Sequence, residues 1–356
     1  MVDLSDGYLQ NRSRRSFLAT AGIGTTMGLA GCLGEDNGDE DVENQNGADA
    51  GEATVRMRTS ESTTAAYAAN EGIAAVVNDH SDDLFVEAQT SPGTEANIGA
   101  LNNEEAEMVY VQNWSAQEIR EGEGAFGDLD FEMAQVFHFY DLPWFFCTAN
   151  EELENVSDID GDTTVSPTPE GSGTAPALER ALEHATDGYE RISIGFGEQG
   201  SAMNEDRLDV GVATYMNFGI VPGWTQEMMG TVDLRLLGAD DVLDEWEDDD
   251  RLLIQSFDGD ELEDAAYTPE EVHCPTFAYN FVSRADLDYD TVYNFLETMH
   301  ANREELSDYS AVLARLEEEE FWTENMYDGV PFHAAAADFY EEHGLWHDEF
   351  ERHDEP

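Results

Sequence analysis

The chain of 356 residues contains no lysine: all fifteen basic side chains are arginine, set against 80 aspartates and glutamates for a formal net charge of −65. That balance excludes nucleic-acid binding by phosphate neutralisation and disfavours docking on anionic lipid through a basic patch. Cysteine is scarce, at three residues, with no Cys-x-x-Cys pair. Also missing are a Ser-centred nucleophile elbow, a Gly-x-Gly-x-x-Gly turn after a strand and a Walker loop, so the common enzyme signatures are absent. No catalytic residue, metal set or cofactor is expected, and the chain does not read as an enzyme. Its apolar run near the start, residues 17–31, is short for a hydrocarbon core of roughly 30 Å, which argues against a permanent membrane span.

What is present is a core and an extreme surface. With 41% hydrophobic and 10% aromatic residues, there is enough apolar material to fold. The acidic surface would repel itself at low salt, but in molar salt the Debye length falls to about 3 Å and the repulsion becomes local. A lysine-free, carboxylate-covered surface reads as adaptation to high salt.

Residues 1–31 read as an address. Arg12, Arg14 and Arg15 precede the mildly apolar run, and Leu29-Ala30-Gly31-Cys32 closes it. Twin arginines, a short apolar run and a lipobox in this order resemble a twin-arginine lipoprotein signal, with cleavage before Cys32 and lipidation of its sulfur. Residues 35–52 hold eight acids and almost no apolar groups, the composition of an unfolded spacer. Residues 32–53 are thus expected to be anchor and tether, holding the body on the extracytoplasmic face of the membrane.

From residue 54 strands and helices alternate. Strands are expected at 54–59, 84–88, 108–111, 163–166, 191–196 and 210–213, and helices at 64–77, 93–101 and 175–185. Such alternation implies parallel βαβ units, an α/β fold with sites at the carboxyl ends of the strands. Two aromatic stretches, 135–148 and 274–283, read as strands crossing twice between two lobes and forming a hinge. The expected division is 54–144 plus 275–356 for one lobe and 145–274 for the other. From residue 288 the pattern is helical to the end, with His343 and His347 spaced for one helical face.

Hydroxyl, amide and glycine clusters follow the strands: residues 60–67, 91–97, 112–114 and 171–174. Each is an ordinary helix cap by itself; together, at one strand edge, they favour a binding cleft in which helix N-termini receive an anion. If Cys32 is lipidated, Cys147 and Cys274 remain, one in each crossing stretch, either bonded to each other or as two buried thiols.

The order and spacing of these features resemble a TAXI-family solute-binding protein, the receptor of a tripartite ATP-independent periplasmic (TRAP) transporter, in a haloarchaeal-type lipoprotein. The resemblance covers roughly residues 54–346. It rests on 59–67, Gly93-Thr94-Glu95-Ala96-Asn97, Val111-Gln112, Ser166-Pro167 with 171–174, 209–213, 282–287, 332–336, and the ending Gly344-Leu345-Trp346. It implies a two-lobed, class II-like binding-protein fold closing on a small solute, a dicarboxylate or an acidic amino acid such as glutamate or 2-oxoglutarate, for a multi-spanning permease. By position Thr63, Thr64, Tyr67, Asn97, Gln112, Ser172, Gly173 and Thr174 would line the cleft. Glu61 would repel an anion if it pointed inward. The alternatives are a receptor for an ATP-driven importer and a secreted enzyme on the same scaffold.

Overall fold

The computed structural model describes residues 53–122, 129–169 and 172–354. The export signal, Cys32 and nearly all of the tether therefore lie outside the described residues, as does Gly171. Among the described residues no helix is long and apolar enough to cross a membrane.

The first elements are β1 (Ala53–Arg58), α1 (Ala65–His80), β2 (Leu84–Gln89), α2 (Thr94–Asn102), β3 (Met108–Gln112) and α3 (Asn113–Glu121). β1 pairs in parallel with both β2 and β3. Next come β4 (Met133–Thr148), β5 (Thr164–Val165), α4 (Ala175–Ala185), β6 (Glu190–Arg191), α5 (Gln199–Asn204), β7 (Val210–Thr214) and α6 (Gly223–Thr231). β8 (Arg235–Leu236), α7 (Leu243–Glu247), β9 (Leu253–Asp258), β10 (Glu271–Arg284), α8 (Tyr289–Ala301), α9 (Leu306–Tyr309) and α10 (Ala334–His343) complete the chain.

The sheet runs β2-β1-β3-β10-β4-β7-β5-β6. Its two halves meet at the long strands that the sequence marks as aromatic. β4 lies antiparallel to β10 from Met133 to Pro143, then continues along β7 from Trp144 to Thr148. This is the α/β fold expected from the alternation, with two long strands joining two parallel-built halves. Stacked rings fill the crossing: Phe137 on Phe281 at 4.9 Å, Tyr140 on Tyr279 at 4.7 Å and Tyr110 on Tyr279 at 4.8 Å. Such pairs add about 0.5–1.5 kcal/mol each beyond the area they bury.

Amid those rings sits a buried polar cluster. The Asp141 amide donates to Asn217 Oδ1 (2.8 Å), Asn217 Nδ2 to the Val312 carbonyl (2.9 Å), and Asn325 Nδ2 to Asp141 Oδ2 (2.8 Å). His138 Nδ1 lies 2.7 Å from Asn280 Oδ1, where the pairing of β4 and β10 shifts register. Directional bonds of this kind specify one packing of the crossing strands more sharply than apolar contact does.

Several expectations are corrected. Cys147 and Cys274 are two fully buried free thiols. β4 and β10 stop pairing at Pro143 and Thr276; beyond that point β4 turns to β7 and β10 to β9. The cysteines lie past the parting, and burial pushes both thiols up from their ordinary range. The strand expected at 191–196 stops at Arg191, and Phe196–Glu198 forms a helical turn. α10 ends at His343 because Gly344 takes φ +72°, so His343 and His347 do not share a helical face. His343 Nε2 instead meets Glu297 Oε1 at 2.8 Å.

Candidate functional site

In parallel βαβ units the helix after each strand begins at the strand's carboxyl edge, with its first amide N–H groups directed outward. At the first half this edge carries the segments after β1, β2 and β3. Thr64 caps α1: its Oγ1 accepts from the Tyr67 amide at 3.1 Å and donates to the Glu61 carbonyl at 2.8 Å. Ser60 Oγ lies 2.5 Å from the same hydroxyl. The Ser91 amide donates to the Ser60 carbonyl at 3.0 Å, joining the segments after β1 and β2. Asn97, fully buried, donates from Nδ2 to the carbonyls of Thr59 (2.8 Å) and Tyr110 (3.0 Å). Gln112 caps α3, accepting from the Ser115 amide at 3.1 Å and donating to Ser115 Oγ at 2.9 Å. Burial pushes the Tyr110 hydroxyl pKa up to about 12.

Of the residues expected to line a cleft, Thr64, Asn97 and Gln112 therefore share this edge but already hold its loops together. Thr63 is exposed and Tyr67 half-buried. Glu61 is exposed, so its carboxylate belongs to the solvated surface.

The second half differs. Ser172, Gly173 and Thr174 precede α4, with Ser172 Oγ 2.9 Å from Thr174 Oγ1, and no side chain caps the helix. Thr168, between Pro167 and Pro169, is fully buried and its Oγ1 has no protein partner. Trp144, paired with Thr214 at the end of β7, stands at the same edge. Its ring packs on Phe196 (5.2 Å) and Trp224 (6.1 Å), which pack on each other (5.2 Å). Trp144, Thr168, Phe196 and Trp224 were not among the expected site residues. Trp144 belonged to the aromatic crossing stretch; Thr168 was not singled out, and its one signal in the sequence is a hydroxyl flanked by prolines, of which Pro169 holds it extended.

Along the flank of α3 opens a cleft of about 550 Å³, lined by Asn113, Arg120, Arg251, Asn325 and Tyr327 among others. Its guanidinium groups are engaged: Arg120 Nη1 donates to the Asp328 carbonyl at 2.6 Å, and Arg251 Nη2 meets Glu121 Oε2 at 2.9 Å.

Comparison with known proteins adds three findings. A curated relative from Haloferax volcanii, named a putative ABC transporter anion-binding protein, is 29% identical over 119 residues, 31% of this chain. The match spans 34% of that relative's length. Among solved structures, the periplasmic aliphatic sulphonate binding protein SsuA from Escherichia coli aligns over 83% of this chain and 89% of its own, with 12% identity and a TM-score of 0.46. The ligand-binding component of an ABC-type import system from Staphylococcus aureus aligns over 85% and 97%, with 10% identity and a TM-score of 0.44. Finally, the model described as the NMT1-like family matches residues 57–344, and the chain belongs to that family.

Proposed function

We propose that this chain is an extracytoplasmic solute-binding protein that delivers a small anion to a membrane transporter. The observation that carries the reading is the pair of half-sheets joined through β4 and β10, each presenting hydroxyls, amides and helix starts at its carboxyl edge. A solute touching both halves favours the closed arrangement only by the contacts it gains there. The anchoring sequence through Cys32 supports an extracytoplasmic place at the membrane.

For the transporter, the name of the Haloferax volcanii relative favours an ATP-driven importer. That importer is the alternative to the TRAP-type permease implied by the sequence resemblance. The same name supports an anionic solute.

A thermal-shift screen of the protein in molar KCl, against inorganic and organic anions, amino acids, amides and sugars, tests the binding. At 100 times its dissociation constant a true solute stabilises by about 2.7 kcal/mol, several degrees. Recovery of the solute unchanged supports a receptor, and its conversion would establish an enzyme instead. Silence across the whole panel would overturn the reading. In cells, uptake that stops on ATP depletion supports the importer, whereas uptake that follows an ion gradient without ATP restores the TRAP-type partner.

A further inference from the structure

We propose that the second half's carboxyl edge takes a monoanion with a planar or apolar body, and that Trp144 donates its indole N–H to that anion; the inference rests on the solute-binding reading and narrows its solute.

Four tryptophans are buried. Three donate their N–H within the protein: Trp114 to Glu118 Oε1 (3.1 Å), Trp246 to the Ala181 carbonyl (2.9 Å) and Trp322 to the Leu316 carbonyl (2.8 Å). Trp144 is 4% exposed, yet its Nε1 has no protein partner. Buried indole N–H groups are normally satisfied because an unpaired donor is costly. The group is donor only, so its partner must offer a lone pair. Thr168 Oγ1, fully buried and also unpartnered, follows β5 on the same edge.

Around the donor lies an aromatic wall. The rings of Trp144, Phe196 and Trp224 are inclined to one another by only 25° to 33°, and Phe196 and Trp224 are partly exposed. The rings stack on one another, and the partly exposed Phe196 and Trp224 offer an apolar face that suits a planar or aliphatic body beside the accepting group.

Charge limits the solute further. Lysine is absent from the chain, and residues 144–179, 192–206 and 208–234, which carry this edge, contain no arginine. Compensation must come from dipoles. α4 and α6 both start here without a side-chain cap, and each helix start is equivalent to about half a positive charge. At this edge two such starts balance one negative charge, so the second charge of a dicarboxylate would have to be met by the first half, where α2 also starts without a side-chain cap.

The test measures dissociation constants in molar KCl for benzoate, hexanoate and benzenesulfonate, matched against adipate, succinate and benzamide, with wild type, Trp144→Phe and Trp246→Phe. Trp144→Phe keeps a ring and deletes the N–H. It should weaken monoanion binding roughly 10- to 100-fold and lower the melting temperature of the free protein by less than Trp246→Phe does. Trp246→Phe, which also strands the Ala181 carbonyl, should lower that temperature more and leave binding intact. Thr168→Val provides a second probe of the same edge. Unaltered monoanion binding in Trp144→Phe overturns the role of the indole. Tighter binding of adipate or succinate overturns the charge class, and binding of benzamide alone overturns the anion, both leaving the receptor reading standing. Silence with all six compounds overturns this inference, whereas the receptor reading falls only if the wider panel is silent too.

Discussion

At the first half's carboxyl edge the polar side chains are largely consumed by the protein itself: Thr64 and Gln112 cap helices, and Asn97 ties two carbonyls. Thr59 Oγ1 and Asn97 Oδ1 are the buried atoms left over there. At the second half's edge α4 starts uncapped, and Trp144 and Thr168 keep buried groups without partners. Both edges thus keep a few buried atoms without partners, and α2 like α4 starts without a side-chain cap; what sets the second edge apart is the unpaired indole donor of Trp144. A buried polar group that is already bonded contributes to the fold; one that is not must find its partner elsewhere or remain a cost.

The largest expected effect on stability is in Asn97. Asn97→Leu leaves the Thr59 and Tyr110 carbonyls unpaired and should cost roughly 2–5 kcal/mol, read as a fall in the urea midpoint at fixed molar KCl. Trp144→Phe, its counterpart across the crossing, trims a buried ring but strands no polar partner and should cost about 1–2 kcal/mol. Equal losses in the two variants would erase the contrast.

A smaller effect is expected at the caps. Thr64→Ala and Gln112→Ala each remove an acceptor at a helix start and should cost about 1 kcal/mol. Ser172→Ala, before the uncapped α4, should sit within about 0.5 kcal/mol of wild type by the same unfolding measurement.

The last effect is one of pH, and here only the direction is set. Burial, reinforced by His343 and Arg303, lowers the His300 pKa from its ordinary 6.5, and burial likewise lowers that of His333. His300 lies in the last turn of α8 and His333 caps α10. Their imidazoles stay neutral in the fold and take up protons more readily when unfolded, so this stability is complete above about pH 6.5 and declines as pH falls below it. His300→Gln should flatten the decline in melting temperature across that window. An unchanged slope would show that His300 does not contribute to it.

Much of the fold was legible in the chain. Parallel units showed as alternating strand and helix patterns, with most limits within a residue or two, and the crossing strands as dense aromatic runs. The strand expected at 163–166 is β5, but β6 was expected too long and the two-residue β8 was not foreseen, because so short a strand has too few residues to establish a period and forms only where neighbours supply its hydrogen bonds. The state of the cysteines stayed open in the sequence for a related reason: both lie on the crossing strands, but where those strands separate is set by β7 and β9, far away in sequence, and the structure shows the two buried thiols. The clusters after the strands marked the correct edges while concealing which hydroxyls were spent, since Thr64 and Ser172 look alike until their partners are known.

Composition and order by themselves determined the acid, lysine-free surface, the α/β class and the absence of arginine from residues 144–179, 192–206 and 208–234, because these are properties of local residue type and period. Only the tertiary structure decided that Asn97 is a strut, that Cys147 and Cys274 stay apart, and that among the buried tryptophans Trp144 keeps a free N–H. Whether a polar group is satisfied depends on atoms brought close by the packing of distant segments, and no local pattern encodes that distance.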